Sequence, residues 1–157
     1  MRAAVYTGLG GPDEITIRDV PDPEPGPHEA RVDVAAAAVN HHDLWLLRGE
    51  GSLDPDELPF VSGVDVAGTV SAVGDGVADL AVGDRVVLCP NQTCGSCRHC
   101  REGPENRCAE YGLFHGGFAE QIAAPADRLI PLPDAISFEA AAAVPVSYLT
   151  AFHMLRQ

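Results

Sequence analysis

Apolar positions in this chain recur mostly at intervals of two. Alternating or β-branched stretches occur at AAVYT (3–7), EITIRDV (14–20), RVDVAAAAV (31–39), VDVAGTVSAVG (64–74) and DRVVL (84–88). Each is bounded by Gly, Pro or Asp and predicts a strand that buries one face. GFAEQIAAP (117–125) and RLIPLP (128–133) predict two more. PDPEPGPHE (21–29) holds too many prolines for a central strand or a helix, so it predicts a turn or an edge connection. GLGG (8–11) reads as a turn and GEGSLDPDELP (49–59) as a mobile loop.

Helical spacing is confined to two places. HDLWLLRG predicts a short helix stopped by Gly49. SFEAAAAVPVSYLTAFHMLRQ, beginning at Ser137, is the clearly helical region. Ser137 is placed to cap it. Pro145 should interrupt it, because the residue before a proline is pushed out of the α region, and Ser147 is placed to cap a second helix. Many short strands with one late helical region predict a mainly β domain with short helices, built as a compact barrel.

Composition narrows the class. At 157 residues the chain is long enough for one domain with a real core. No apolar run approaches the roughly 20 residues that span a bilayer. The opening MRAAVYTGLGGPDEITI reads as a first strand rather than a targeting signal, so the expected location is the cytoplasm. A formal charge of −13 argues against nucleic acid or an anionic membrane as partner. All ten basic residues other than histidine are arginine. An acidic surface without lysine suits a salt-rich cytoplasm, where ions screen repulsion. An arginine-biased genome is the alternative. No internal repeat is visible.

The densest chemistry lies in CGSCRHCREGPENRC, where Cys94, Cys97, Cys100 and Cys108 follow the spacing C-x2-C-x2-C-x7-C. In a reducing cytoplasm such a cluster points to metal rather than disulfides. Zinc takes four thiolates in a tetrahedron, and a full set leaves no open position for water or substrate. The implied site is therefore structural, with one zinc per chain. An iron–sulfur cluster is the rival, but its motif continues with x3-C-P. Here the fourth cysteine follows seven residues and precedes Ala109. Cys89 stands outside the pattern and is expected to be a buried apolar residue.

Together with that loop, VNHHDLWLLRG, VSGVDVAGTVSAVGDGV, GDRV and GGFAEQIAAPADRLIPLPDAISFEAAAAVPVSYLTAFHML resemble the medium-chain dehydrogenase/reductase family. More narrowly, they resemble the GroES-like catalytic domain of zinc alcohol dehydrogenases and quinone oxidoreductases. The resemblance implies a partly open β-barrel over residues 1–143 with a structural zinc lobe at 90–110. Residues 144–157 would then begin the connecting helix to a Rossmann domain that binds NADP or NAD. No G-x-G-x-x-G stands between a strand and a helix in this sequence. The chain is accordingly expected to be a fragment, inactive alone, because hydride transfer needs the nicotinamide held against the substrate.

The resemblance also locates the family's catalytic zinc ligands. They match Asn40, Val64 and Val146, and the neighbouring acid matches Asp65. Valine cannot ligate and Asn is a poor zinc ligand, so the catalytic zinc is expected to be absent. A site rebuilt from His41, His42, Asp43 and Asp65 is the weaker alternative, because adjacent histidines rarely point the same way. Without a Lewis acid the easier chemistry is reduction of a quinone, enone or related carbonyl, whose developing oxyanion hydrogen-bond donors can stabilise. Asn40 is the candidate for contact with substrate or nicotinamide, and His42 for an oxygen-facing donor or proton relay. Asp43 is expected to fix local structure by capping.

Trp45 and Tyr148 are candidates for the substrate pocket, and Thr150, which resembles the family threonine beside the nicotinamide, for the cofactor. His28, His99, His115 and His153 carry no separable signal. The implied partner is a small-molecule carbonyl or quinone, and the resemblance allows a homo-oligomer in the full-length protein. A zinc-dependent alcohol dehydrogenase and a non-enzymatic binding module remain as alternatives.

Overall fold

A computed structural model of the chain describes residues 1–156. The first half supplies β1 (Arg2–Tyr6), β2 (Ile15–Asp19), β3 (Glu29–Ala38), α1 (His41–Leu47), β4 (Phe60–Val61), β5 (Asp65–Val73) and β6 (Arg85–Leu88). The second half supplies β7 (Asn91–Gln92), α2 (Arg98–Glu102), β8 (Gly112–Leu113), β9 (Gln121–Pro125), β10 (Leu129–Pro131), α3 (Phe138–Ala142) and α4 (Pro145–Leu155). Five strands form one sheet in the order β10-β6-β5-β3-β9, and β2-β1-β4 form a second. An isolated bridge, Ala3 to Ala119, joins the N-terminal sheet to the approach of β9. The result is a mainly β, partly open barrel.

Strand alternation builds the core. On β3, Ala30 and Val32 point inward, and Val32 lies opposite Val70 of β5 and Ile122 of β9. They join Val66, Val86, Leu88, Ala124 and Leu129 in the main apolar cluster. Register shifts on β3 at Arg31/Val32 and Val34/Ala36 bend the long β3–β5 ribbon, as bulges do when they increase local twist. A second cluster of Tyr6, Leu46, Leu47 and Leu53 seats α1 against the N-terminal sheet. In a third, Ala141 and Ala142 of α3 rest on Ala67 of β5.

Most predicted elements form, with four corrections. The segment 49–59 is not a free loop. It carries a 3-10 turn over Pro55–Glu57, where the Glu57 carboxylate accepts from the Asp54 N–H at 2.8 Å and Leu53 is buried. Ser147 does not cap the second helix. That helix starts at Pro145, behind Val144, because proline's fixed φ suits the first helical turn. Cys89 is only half-buried. Finally, α2 and the β7–β8 pair shape the cysteine loop, where spacing alone predicts no element. Ser137 does cap α3, accepting from the Ala140 N–H at 3.2 Å. Among the described residues no helix is long and apolar enough to cross a membrane.

Candidate functional site

The site grows from the junction between β3 and α1. Asn40 leaves the strand in extended geometry and serves as the N-cap position of α1. Its backbone N–H donates to Asp43 Oδ2 at 2.8 Å, the reciprocal half of a capping box. The other Asp43 oxygen accepts from Ser62 Oγ at 2.6 Å and from the Gly63 N–H at 3.1 Å. Asp43 is buried, and its carboxylate accepts these three hydrogen bonds. It fixes the start of α1 to the loop before β5, in keeping with its expected structural part.

Asp65 performs a parallel task one layer away. Its Oδ2 accepts from the Asn40 side-chain amide at 3.0 Å, and its Oδ1 accepts from the Val146 backbone N–H at 3.0 Å. The residues matched above to catalytic zinc ligands thus converge, yet a buried carboxylate stands among them with both oxygens engaged. Val64 is fully buried apolar surface. Burial pushes the Asp65 carboxyl up, while the hydrogen bonds from Asn40 and Val146 pull it down; the net direction is up.

His42 lies on α1 with its ring stacked on His115 at 5.2 Å between centroids and 24° between planes. Phe60 meets His115 edge-on at 5.1 Å. His42 Nε2 and His115 Nδ1 are both buried and lack a hydrogen-bond partner. Burial lowers the His115 pKa, and the neighbouring His42 lowers it further. His115 is the site residue that sequence reasoning missed. The detectable signal was the Gly-Gly pair that follows it. The Gly117 N–H donates to the Gly63 carbonyl at 2.9 Å, and Gly63 sits at φ 93 where a Cβ would strike the Phe118 backbone. That close crossing carries His115 to α1.

The remaining candidates do not gather into one pocket. His41 meets the Trp45 ring at 6.1 Å, but Trp45 is exposed at 48%, so it is not an enclosed wall. Tyr148 is 67% exposed. Thr150 and Val146 instead line a cleft of about 820 Å³ between α4 and the cysteine lobe, facing Glu105, Asn106 and Tyr111.

The lobe brings its four cysteines together. The sulfurs of Cys94, Cys97, Cys100 and Cys108 lie within 4.8 Å of one another, with Cys94–Cys100 at 3.8 Å and Cys97–Cys100 at 3.5 Å. Four sulfurs about 2.3 Å from one zinc ion would stand about 3.8 Å apart, so the set fits the ion. Backbone N–H groups of Cys94 and Glu110 donate to Cys108 Sγ at 3.5 and 3.4 Å. The backbone N–H groups of Ser96 and Cys97 draw the Cys94 thiol down to about 6, which favours the ligating thiolate. A zinc ion held here would cross-link the loop and supply no reaction step. Arg128 attaches the lobe to the barrel, pairing with Glu105 at 3.0 Å and donating to Thr93 Oγ1 at 3.0 Å.

Residues 26–134 match the alcohol dehydrogenase GroES-like domain. The chain belongs to that family. An alcohol dehydrogenase of Schizosaccharomyces pombe is 34% identical over 160 residues, covering 99% of this chain and 45% of its own. Among solved structures, an NAD-dependent alcohol dehydrogenase superposes with a TM-score of 0.94 at 45% identity, over 98% of this chain and 46% of that one. A cobalt- and zinc-bound thermostable alcohol dehydrogenase from Pyrobaculum aerophilum superposes at 0.89 with 31% identity, over 99% and 47%. This GroES-like chain thus spans about half the length of the relatives it matches. Alcohol dehydrogenases and sorbitol dehydrogenases are among its relatives.

Proposed function

We propose that the chain is the substrate-binding half of an NAD(P)(H)-dependent oxidoreductase that reduces quinones, enones or related carbonyls without a catalytic zinc. In this reading residues 1–143 form the GroES-like domain with the zinc lobe at 90–110. Residues 144–157 begin the helix that leads to a nucleotide-binding domain; Gln157 lies outside the described residues. The observation that carries the proposal is the Asp65 carboxylate. Asn40 and the Val146 backbone occupy both of its oxygens, and the third matched position, Val64, offers no ligand atom.

Hydride addition to the carbon β to a carbonyl moves negative charge onto the carbonyl oxygen. Hydrogen-bond donors held in place stabilise that charge in a water-poor site. Asn40 keeps one amide N–H beyond the one given to Asp65, and its orientation is locked by that bond. His42 brings a ring nitrogen with no protein partner. Asn40 and His42 are therefore the candidate substrate-facing groups. Thr150, on the same helix as Val146, is the candidate nicotinamide contact, and Trp45 and Tyr148, both exposed, are the candidate substrate-pocket residues. A zinc-dependent alcohol dehydrogenase is the competing reading, since the named relatives are alcohol dehydrogenases.

Metal content and chelator response separate the two. The zinc-free reading expects one metal equivalent per chain, lost on replacement of the lobe cysteines. It also expects the whole oxidoreductase to reduce an enone in the presence of a chelator. A second equivalent that survives in a Cys97→Ser variant and disappears with Asp65→Ala would establish the zinc-dependent reading instead.

A further inference from the structure

The stacked imidazoles of His42 and His115 are unexplained by packing. Aromatic stacking could be served by Phe or Tyr, and Phe60 already closes one edge of the pair. Two imidazoles leave a buried nitrogen on each ring without a protein partner, at His42 Nε2 and His115 Nδ1. An unsatisfied buried polar atom costs stability, so a pair of them on stacked rings at the candidate site points to use. The rings come from separate parts of the chain, one from α1 and one from the loop before β9. They meet only because the glycine crossing at Gly63 and Gly117 permits it.

The geometry points to His42 and His115 acting as one proton-holding unit. His115 is its positioning residue, limiting the two rings to a single proton, and His42 hands that proton to the substrate. Two imidazolium charges 5.2 Å apart in a partly buried site repel strongly. A charge on one ring therefore resists protonation of the other, and His115 is held below the ordinary imidazole value by burial and by its neighbour. The acids facing His115 are Asp43, from α1, and Glu57, from the 3-10 turn after Asp54. Asp43 is already engaged by three donors, which leaves the protonation of His115 governed chiefly by burial and by the His42 ring.

This role rests on the carbonyl-reduction reading above. In that reaction a reduced nicotinamide would supply hydride to the β carbon, being itself oxidised, and would leave the substrate as an enolate. The enolate then takes one proton from a His42 ring N–H, the N–H bond breaking as the new C–H or O–H bond forms. Water restores the proton to the pair through His115.

The coupling is measurable without substrate or cofactor, so its outcome is independent of the reaction assigned to the protein. Histidine resonances of the 157-residue chain would be followed against pH by NMR in wild type, His42→Phe and His42→Gln. Both substitutions delete the neighbouring charge while filling the space. The His115 midpoint is expected below the ordinary 6.5 in wild type and to rise in both variants. An identical midpoint in all three chains would overturn the proposal. Should neither variant fold, the wild-type curve decides: two inflections at His115 support a shared unit, and a single-proton curve removes it. In the whole oxidoreductase, His115→Phe is expected to move the pH profile of kcat, and an unmoved profile excludes His115 from the relay.

Discussion

The side-chain amide of Asn40 donates to the carboxylate of Asp65 across 3.0 Å, joining the end of β3 to the first residue of β5. Because the second Asp65 oxygen holds the Val146 N–H, one buried side chain sets the spacing of three segments around the candidate site. Asp65→Ala orphans two donors, each worth about 1–3 kcal/mol when left unpaired. Urea unfolding should show a loss of that order, together with faster amide exchange at Val146. An unchanged midpoint would mean that water replaces the carboxylate without cost.

Asp65 also gives stability a pH dependence of known sign. Its carboxyl is raised above the ordinary 3.8, so the folded chain holds that proton more tightly than the unfolded one. Its contribution is fully present below 3.8 and fades as pH climbs through the raised folded value. Asp65→Asn cannot ionise and still offers an acceptor to Val146. Its stability relative to wild type should therefore increase with pH over that window, read from denaturation curves at successive pH values.

The cysteine lobe should melt separately from the barrel. Its attachment is the Arg128–Glu105 pair, with Asn91 also donating to Glu105 at 2.7 Å. Burial works against ionisation of Glu105, but the bonds from Asn91 and Arg128 hold its carboxyl below the ordinary 4.5. That contribution is present above 4.5 and is lost as pH falls through the lower folded value. Arg128→Ala should cost about 1–2 kcal/mol and loosen residues 91–113. Chelation should remove exchange protection from the lobe while β3 and β5 keep theirs. Simultaneous loss from both regions would show that the metal supports the whole fold.

Core and surface positions should diverge sharply. Leu88 lies opposite Leu129 in the β6–β10 register and is buried. Leu88→Ala should cost about 2–5 kcal/mol through lost burial and a residual cavity. Ile17 on β2 is exposed, so Ile17→Thr should stay within about 0.5 kcal/mol. Thermal or urea unfolding of the two variants checks the contrast.

The charge of −13 is spread over a chain with no lysine. Mutual repulsion of exposed carboxylates should be relieved by salt, so the melting temperature should rise between low and molar salt. A flat response would assign the composition to codon usage rather than to a saline interior.

The strands were legible because inward residues such as Ala30, Val32 and Val70 alternate with less buried neighbours. The cysteine cage was legible because ligand spacing is a local property. Ser137 and Pro145 marked helix boundaries by rules that act within four residues. His115 was not legible, since its significance arises from a contact with α1 across 73 positions, made by a glycine crossing that no periodicity announces. Nor could spacing reveal that Asn40 would spend an N–H on Asp65, or that Trp45 and Tyr148 would remain open to solvent. Those outcomes depend on which faces of distant elements meet.

Helix α4 is anchored at its root and largely exposed beyond it. Pro145 is its one buried residue among those described, while Leu155 is 84% exposed and Phe152 and Met154 also face outward. An eleven-residue helix is marginal when unsupported. Its outer turns meet the rest of the chain across the cleft to the cysteine lobe, where Asn106 Nδ2 lies 3.5 Å from His153 Nε2. The inner turn is held separately, because the Val146 N–H is moored to the same carboxylate that steadies Asn40. Leverage on the far end consequently leaves the alignment of the two candidate reaction partners, helix and strand, undisturbed.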